Sequence, residues 1–386
     1  WREGAAIIRS GDRQTWLPWD DPDSVSGFLS HFRPRVGILM ETEVWPALVR
    51  ACRQHHVPLT LANARLNNRS FQRAQRLAWL SRPAFAGLQA VWAQTDDDRD
   101  RLQQLGARVK AVTGNLKFDA RPDADQLSRA ARWRTVIRRP VVMLASSREG
   151  EEAEFLRCIR ASSLDMKGLD AAKKVDPASA PLPLYLIVPR HPQRFDAVAD
   201  MLRMHGWTPR RRAEWGAELD ARLAAAEMEE ALAPVGEGGN DGPNRVDSAD
   251  ACSDGGHDTE VWLGDSLGEM ALYYSLSDVA LLGGSFEPLG GQNLIEAAAC
   301  GCPVIMGPHT FNFAEPADAA VAHAAALRVG NMASGVAAAF ELVQDRTRRQ
   351  TLAEAAISFG RSRQGAARLT ARAVASLLEV SAPAVR

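Results

Sequence analysis

Short apolar runs alternate with amphipathic stretches along this chain, and that alternation is its main structural signal. Residues 34–43 (PRVGILMETE) read as a buried strand, and 44–56 place apolar residues at helical spacing. Residues 57–66 predict the next strand, followed by a basic helix from about Asn68 to Leu80. The pattern continues through 87–95, 96–106 and 107–118. Strand then helix, repeated, means βαβ units and a mostly parallel sheet.

From Asp119 to Arg134 the chain turns polar, with Pro122 among several charges, so 122–134 are expected to be an interdomain linker. A second alternating series then begins at RPVVMLASS and runs to CPVIMGP. The expected fold class is α/β, with two Rossmann-like domains, 1–121 and 135–386, facing each other across a cleft. In such sheets ligands sit beyond the carboxyl ends of the strands. Residues 162–183, rich in Ala, Pro and Lys, and 234–258, rich in Gly, Asp, Asn and Ser, lack any core-forming period and are expected to be flexible surface insertions. The Ala- and Arg-rich stretch after Asp345 predicts terminal helices.

Composition narrows the chemistry. The 386 residues are too many for one ordinary core. A formal net charge of -1 gives no global attraction to nucleic acid, so an anionic ligand requires a local basic patch. The five cysteines are odd in number and form no pair of Cys-x-x-Cys units, which supports neither a zinc site nor a disulfide framework. Cys300 and Cys302, flanking Gly301, read as small buried residues of a protein kept in a reducing compartment. No apolar run is long enough to span a bilayer. The chain opens at Trp1 without a first strand, so the first domain is expected to be incomplete.

The strongest candidate site is GGSFEPLGGQNLIEAAACG. Glycine pairs at Gly283–Gly284 and Gly290–Gly291 let backbone N–H groups approach an anion, and the helix start near Asn293 adds partial positive charge. Asn293 suits a cap, and Glu296 in the first turn suits a ribose cis-diol. Arg190 follows a buried strand in LIVPRHPQRF, where a guanidinium can grip phosphate; His191 and Arg194 are weaker candidates. Ser266 and Glu269 have capping-box spacing, and their turn also presents Leu267, Gly268 and the Glu269 N–H. Ser146 and Ser147 precede an acidic first turn that complements a helix dipole. In the first half, Glu41 and Glu43 end a strand and Lys117 precedes the linker, a carboxylate and an amine suited to stabilising separated charge. Thr95 and the aspartates after it read as a capped helix start, and no metal site is expected. Arg65, Arg69, Arg73 and Arg76, with Trp79 and Leu80 beyond, form a basic face suited to phosphorylated lipid.

Taken together, METEVWP, LANARL, TGNLKFD, VPRHPQRF, GDSLGEMALYY, GGQNLIEAAACG and MGPHTFNFAE resemble the Kdo (3-deoxy-D-manno-octulosonic acid) transferases of Gram-negative lipopolysaccharide assembly, from about Leu17 to Glu315. The resemblance implies an inverting, metal-independent GT-B glycosyltransferase with no cofactor, at the cytoplasmic face of the inner membrane. It implies CMP-Kdo as donor, a tetraacylated lipid A precursor as acceptor, peripheral contact with the membrane surface and no nucleic-acid partner. It also implies CMP contacts at Pro189 and Arg190, at Leu267, Gly268 and Glu269, and at Asn293, Leu294, Ile295 and Glu296. Glu41 and Lys117 resemble the family's transition-state stabilisers. Gln292 stands where the family has histidine. The family's general base, a glutamate in an early Val-Gly-Glu turn, and its amino-terminal anchor have no match in these residues, so no base is named and the chain as given is expected to be inactive. The alternatives are another GT-B enzyme using a UDP-sugar, or a non-catalytic nucleotide-binding fragment.

Overall fold

The computed structural model describes residues 8–173, 182–232 and 260–380. They form two compact units: one comprises the chain to Asp119 together with Arg363 onward, the other Ala120–Ser362.

The first unit holds a parallel sheet in the order β1 (Gly37–Met40), β2 (Leu59–Ala64), β3 (Ala90–Ala93), β4 (Val109–Val112). On one face Leu61 and Val91 pack with Val25, Leu29, Leu48, Val49 and Leu102 from the flanking helices. On the other, Ala62, Ala90 and Trp92 meet Ala373, Val374 and Leu377 of the last helix, Ala366–Val380. That helix was expected to pack with the second domain. It returns because small alanines on β2 and β3 leave a shallow apolar face, and because Asp119 accepts hydrogen bonds from the Gly365 and Ala367 N–H groups at 2.6 and 2.7 Å at its start. β1 departs from its expected burial: Ile38 and Met40 are exposed, as befits an edge strand with one face uncovered among the described residues.

The second unit holds a seven-stranded parallel sheet, ordered β11 (Ala326–Arg328), β10 (Val304–Met306), β9 (Val279–Leu282), β5 (Val141–Ser147), β6 (Leu184–Pro189), β8 (Glu260–Leu263), β7 (Thr208–Arg211). One face packs Val142, Ile187 and Leu281 against Phe155, Val198, Leu202 and Phe340. The central strands are apolar on both faces, as a sheet covered by helices on both sides requires. The first strand of this unit, β5, lies in the middle, so the chain winds outward in both directions from it. This is the topological switch at which open α/β sheets bind ligands.

The expected linker is instead largely helix, Ala124–Val136, capped by Asp123. Its Trp133 is buried against Trp215 and donates to Asp220 at 2.7 Å, which fixes the segment onto the second unit. The apolar period was obscured because one tryptophan supplies most of the buried area. The expected insertion at 162–183 also differs, since helix Glu151–Lys173 runs through its first half; residues 174–181 and all of 234–258 lie outside the described residues.

Candidate active site

The loops after β5, β6, β8 and β9 all leave the same carboxyl edge of the second sheet, and they carry the second-half candidates. Pro189 ends β6, paired in register with Ser147 of β5, and the Arg190 N–H donates to the Ser147 carbonyl at 3.0 Å. Arg190 is exposed at this edge. Asn293, Leu294, Ile295 and Glu296 make the turn into helix Ile295–Ala299, where the Asn293 carbonyl oxygen accepts from the Ile295 N–H at 3.1 Å. Glu296 lies in the first turn. Loss of water around it raises its pKa above the ordinary 4.5, and the nearby Arg190 charge pulls the other way. The guanidinium and the carboxylate singled out from distant sequence segments thus share one electrostatic neighbourhood.

The Ser266–Glu269 turn is built differently from the capping box its spacing predicted. Helix Met270–Leu276 starts after Glu269, which is therefore the cap residue itself and makes no side-chain cap bond. Its carboxylate accepts from Ser266 Oγ and takes both Nε and Nη2 of Arg212 at 2.9 Å. Arg212 lies over the rings of Trp215 and Trp133, 4.6 and 4.9 Å from their centroids, and Trp215 stacks on Trp262 at 4.7 Å. Burial alone would raise the Glu269 pKa, but the Ser266 hydroxyl and Arg212 outweigh it and hold it below 4.5. With the carboxylate so occupied, this turn offers a ligand the exposed Leu267 and the backbone of Gly268, whose φ is +78°.

Two glutamates that sequence reasoning treated as dipole complementation prove to organise the edge. Glu151 is 1% exposed. It accepts from the Gly284 N–H at 2.7 and 2.8 Å, from Arg148 N–H at 2.9 Å and from Phe286 N–H at 3.3 Å. Burial raises its pKa, against the pull of those N–H donors. Glu152, equally buried, accepts from Ser147 Oγ at 2.8 Å and from Nη1 and Nη2 of Arg194 at 2.8 and 3.1 Å. Gly283 must be glycine here: a Cβ would stand 2.7 Å from Ser147 Cα. The EGEE run after Arg148 held the signal, because two adjacent acids at a helix start exceed what a dipole needs.

In the first unit, Glu41 follows β1 with φ +59°, a left-handed conformation uncommon for glutamate, and pairs with Arg65 at 3.2 Å and Lys117 at 3.6 Å. The structure therefore brings Glu41 and Lys117 together. Glu43 instead accepts from the Trp45 indole at 3.1 Å. Arg65 lies in the turn before helix Asn68–Arg76 and answers to Glu41, so the exposed basic face reduces to Arg69, Arg73 and Arg76. Thr95 caps its helix as expected, and Asp98 also accepts from the Leu66 N–H at 2.7 Å. Burial pushes the Cys52 and Cys300 thiols up to about 11 and raises Cys158 and Cys302, which disfavours their thiolates; Cys302 is buried as expected, whereas Cys300 is only half-buried. Among the described residues, no helix is long and apolar enough to cross a membrane.

Comparison with known proteins bears on this arrangement. A family model described as 3-deoxy-D-manno-octulosonic-acid transferase (kdotransferase) matches residues 2–120. The 3-deoxy-D-manno-octulosonic acid transferase of Bordetella pertussis is 42% identical over 367 residues, covering 95% of this chain and 75% of the relative. That of Haemophilus influenzae is 32% identical over 304 residues, covering 78% of this chain and 59% of the relative. Among solved structures, an α,α-trehalose-phosphate synthase (UDP-forming) from Burkholderia vietnamiensis is 15% identical with a TM-score of 0.51, covering 95% of this chain and 75% of that one. The last likeness is one of fold, and with the two parallel sheets it places the chain among GT-B folds of paired Rossmann-like domains.

Proposed function

We infer the reaction from the family, for this chain belongs to the 3-deoxy-D-manno-octulosonic acid (Kdo) transferases. The proposed reaction is transfer of Kdo from CMP-Kdo to a lipid A precursor in lipopolysaccharide assembly, with inversion at the anomeric carbon. The observation that carries the donor assignment is the convergence of Arg190 and Glu296 at the carboxyl edge of β6 and β9, beside a helix start.

In this reading Glu296 accepts both hydroxyls of the cytidine ribose. Backbone N–H groups at Asn293 and Leu294 and around Gly268 face the nucleotide, as do Pro189, Leu267, Glu269 and Ile295. As the bond to Kdo breaks, negative charge grows on the departing CMP phosphate. Arg190, already in place at this edge, stabilises that charge more as it develops. Glu41 and Lys117, an ion pair in the first unit, stabilise the oxocarbenium-like sugar. The left-handed backbone at Glu41 supports a functional role, since such strain clusters at working sites.

The proposed acceptor is a tetraacylated, phosphorylated disaccharide lipid, met at the cytoplasmic face of the inner membrane. A groove of about 430 Å³ in the first unit supports this, with Val49, Leu80 and Pro83 as apolar lining and Arg50 and Arg53 as basic lining. Trp79, 76% exposed, stands at the same groove. Apolar rings beside guanidinium groups suit the boundary between phosphate headgroups and acyl chains.

The test is CMP-Kdo turnover by the full-length gene product with a lipid A precursor, followed by product mass. Arg190→Ala and Glu296→Ala are each expected to lower kcat/KM by about 100-fold or more, roughly 3 kcal/mol of transition-state stabilisation. Near wild-type efficiency in both sinks the donor assignment. Protection by CMP and not by UDP in competition separates this reading from a UDP-sugar enzyme.

A further inference from the structure

We infer that Arg148 is a second guanidinium for the donor phosphate, acting beside Arg190, whereas Arg194 is a strut. The inference rests on the CMP reading above and deepens it.

Strand register is the first reason. β5 and β6 are neighbours, and Ser147 pairs with Pro189, so Arg148 and Arg190 are the equivalent first positions beyond the two strand ends. They leave the sheet side by side at the switch point, where an anion rests in this fold.

The second reason is how firmly Arg148 is held. Its N–H donates to Glu151, and the same buried carboxylate accepts from Gly284 and Phe286. The Arg148 turn and the glycine loop are therefore tied to one anchor. A Cβ placed on Gly284 would lie 3.6 Å from Arg148 Cγ and 3.2 Å from Gln292 Nε2, so the Arg148 stem runs along the glycine loop.

Charge is the third. Glu152 takes two nitrogens of Arg194, which neutralises it and spends its fork. Among the described residues neither Arg148 nor Arg190 has an ion-pair partner. Both charges are felt at His191, whose pKa is lowered by burial first and then by Arg148, Arg190 and Arg194. Two guanidinium groups without an ion-pair partner among the described residues thus lie close enough to the His191 ring to lower its pKa. A sugar–phosphate diester carries one negative charge and the departing monophosphate gains another, and two guanidinium groups match that growth.

Calorimetric titration of CMP and of cytidine, with wild type, Arg148→Gln and Arg148→Lys, tests this. Arg148→Gln is expected to weaken CMP about tenfold while leaving cytidine unchanged, and Arg148→Lys to recover part of the loss. If Arg148→Gln binds CMP as wild type does, the Arg148 assignment falls and the donor reading stands. Equal losses for CMP and cytidine also overturn it, since they mark a purely structural role. Failure of the wild-type protein to bind CMP overturns the donor reading itself.

Discussion

Charged candidates in the two units are held in opposite ways. In the second unit Glu151 and Glu152 are all but sealed from solvent and bind backbone N–H groups, a serine hydroxyl and Arg194. In the first unit Glu41, Arg65 and Lys117 form an ion-pair cluster with 32%, 44% and 38% of their side chains exposed. Burial makes a carboxylate expensive to leave unpaired, so the second unit's acids act as scaffold for a loop edge. Exposure makes the first unit's cluster worth little to stability, which leaves its strained backbone and its charges available to chemistry.

The sharpest way to break this contrast is to remove one buried acid. Glu152→Ala leaves Arg194 and Ser147 without their acceptor and is expected to cost about 3–5 kcal/mol in urea unfolding. A loss under 1 kcal/mol would show that the second unit's acids are not scaffold.

A subtler effect comes from pH. Glu269 is held below 4.5 by Ser266 and Arg212, so its contribution to stability is present above 4.5 and fades as pH falls through its lowered folded value. Glu151 and Glu296 are raised, so theirs is present below 4.5 and fades as pH rises through their folded values. The destabilisation caused by Glu269→Gln should therefore shrink as unfolding is measured at progressively lower pH below 4.5. A gap that is constant with pH would contradict the Arg212 pairing.

The smallest expected stability change is at Glu41. Glu41→Gly relieves the left-handed conformation while removing two exposed ion pairs, and the melts should agree with wild type to within about 1 kcal/mol. Kdo transfer should nevertheless fall by about 100-fold. Transfer at the wild-type rate would reduce the cluster to surface decoration.

The parallel sheets were readable because strands buried on both faces, such as 141–147 and 184–189, are unbroken apolar runs bounded by turn residues. Arg190 and Gly283–Gly284 were readable because each stands just past such a run. Helix 124–136 was missed because only Ala130 and Trp133 are buried on a face that otherwise looks polar. The capping box was misassigned because spacing is blind to Arg212, which lies 57 residues away and claims the carboxylate.

Local order along the chain by itself determined the strand–helix alternation, the edge on which the loops emerge and the residue types placed there. Only the tertiary structure decided which groups meet: Glu152 with Arg194, Glu41 with Lys117, and the last helix with the first sheet. Periodicity is written within a few turns of chain, whereas charge pairing depends on which distant loops the winding of the sheet brings side by side.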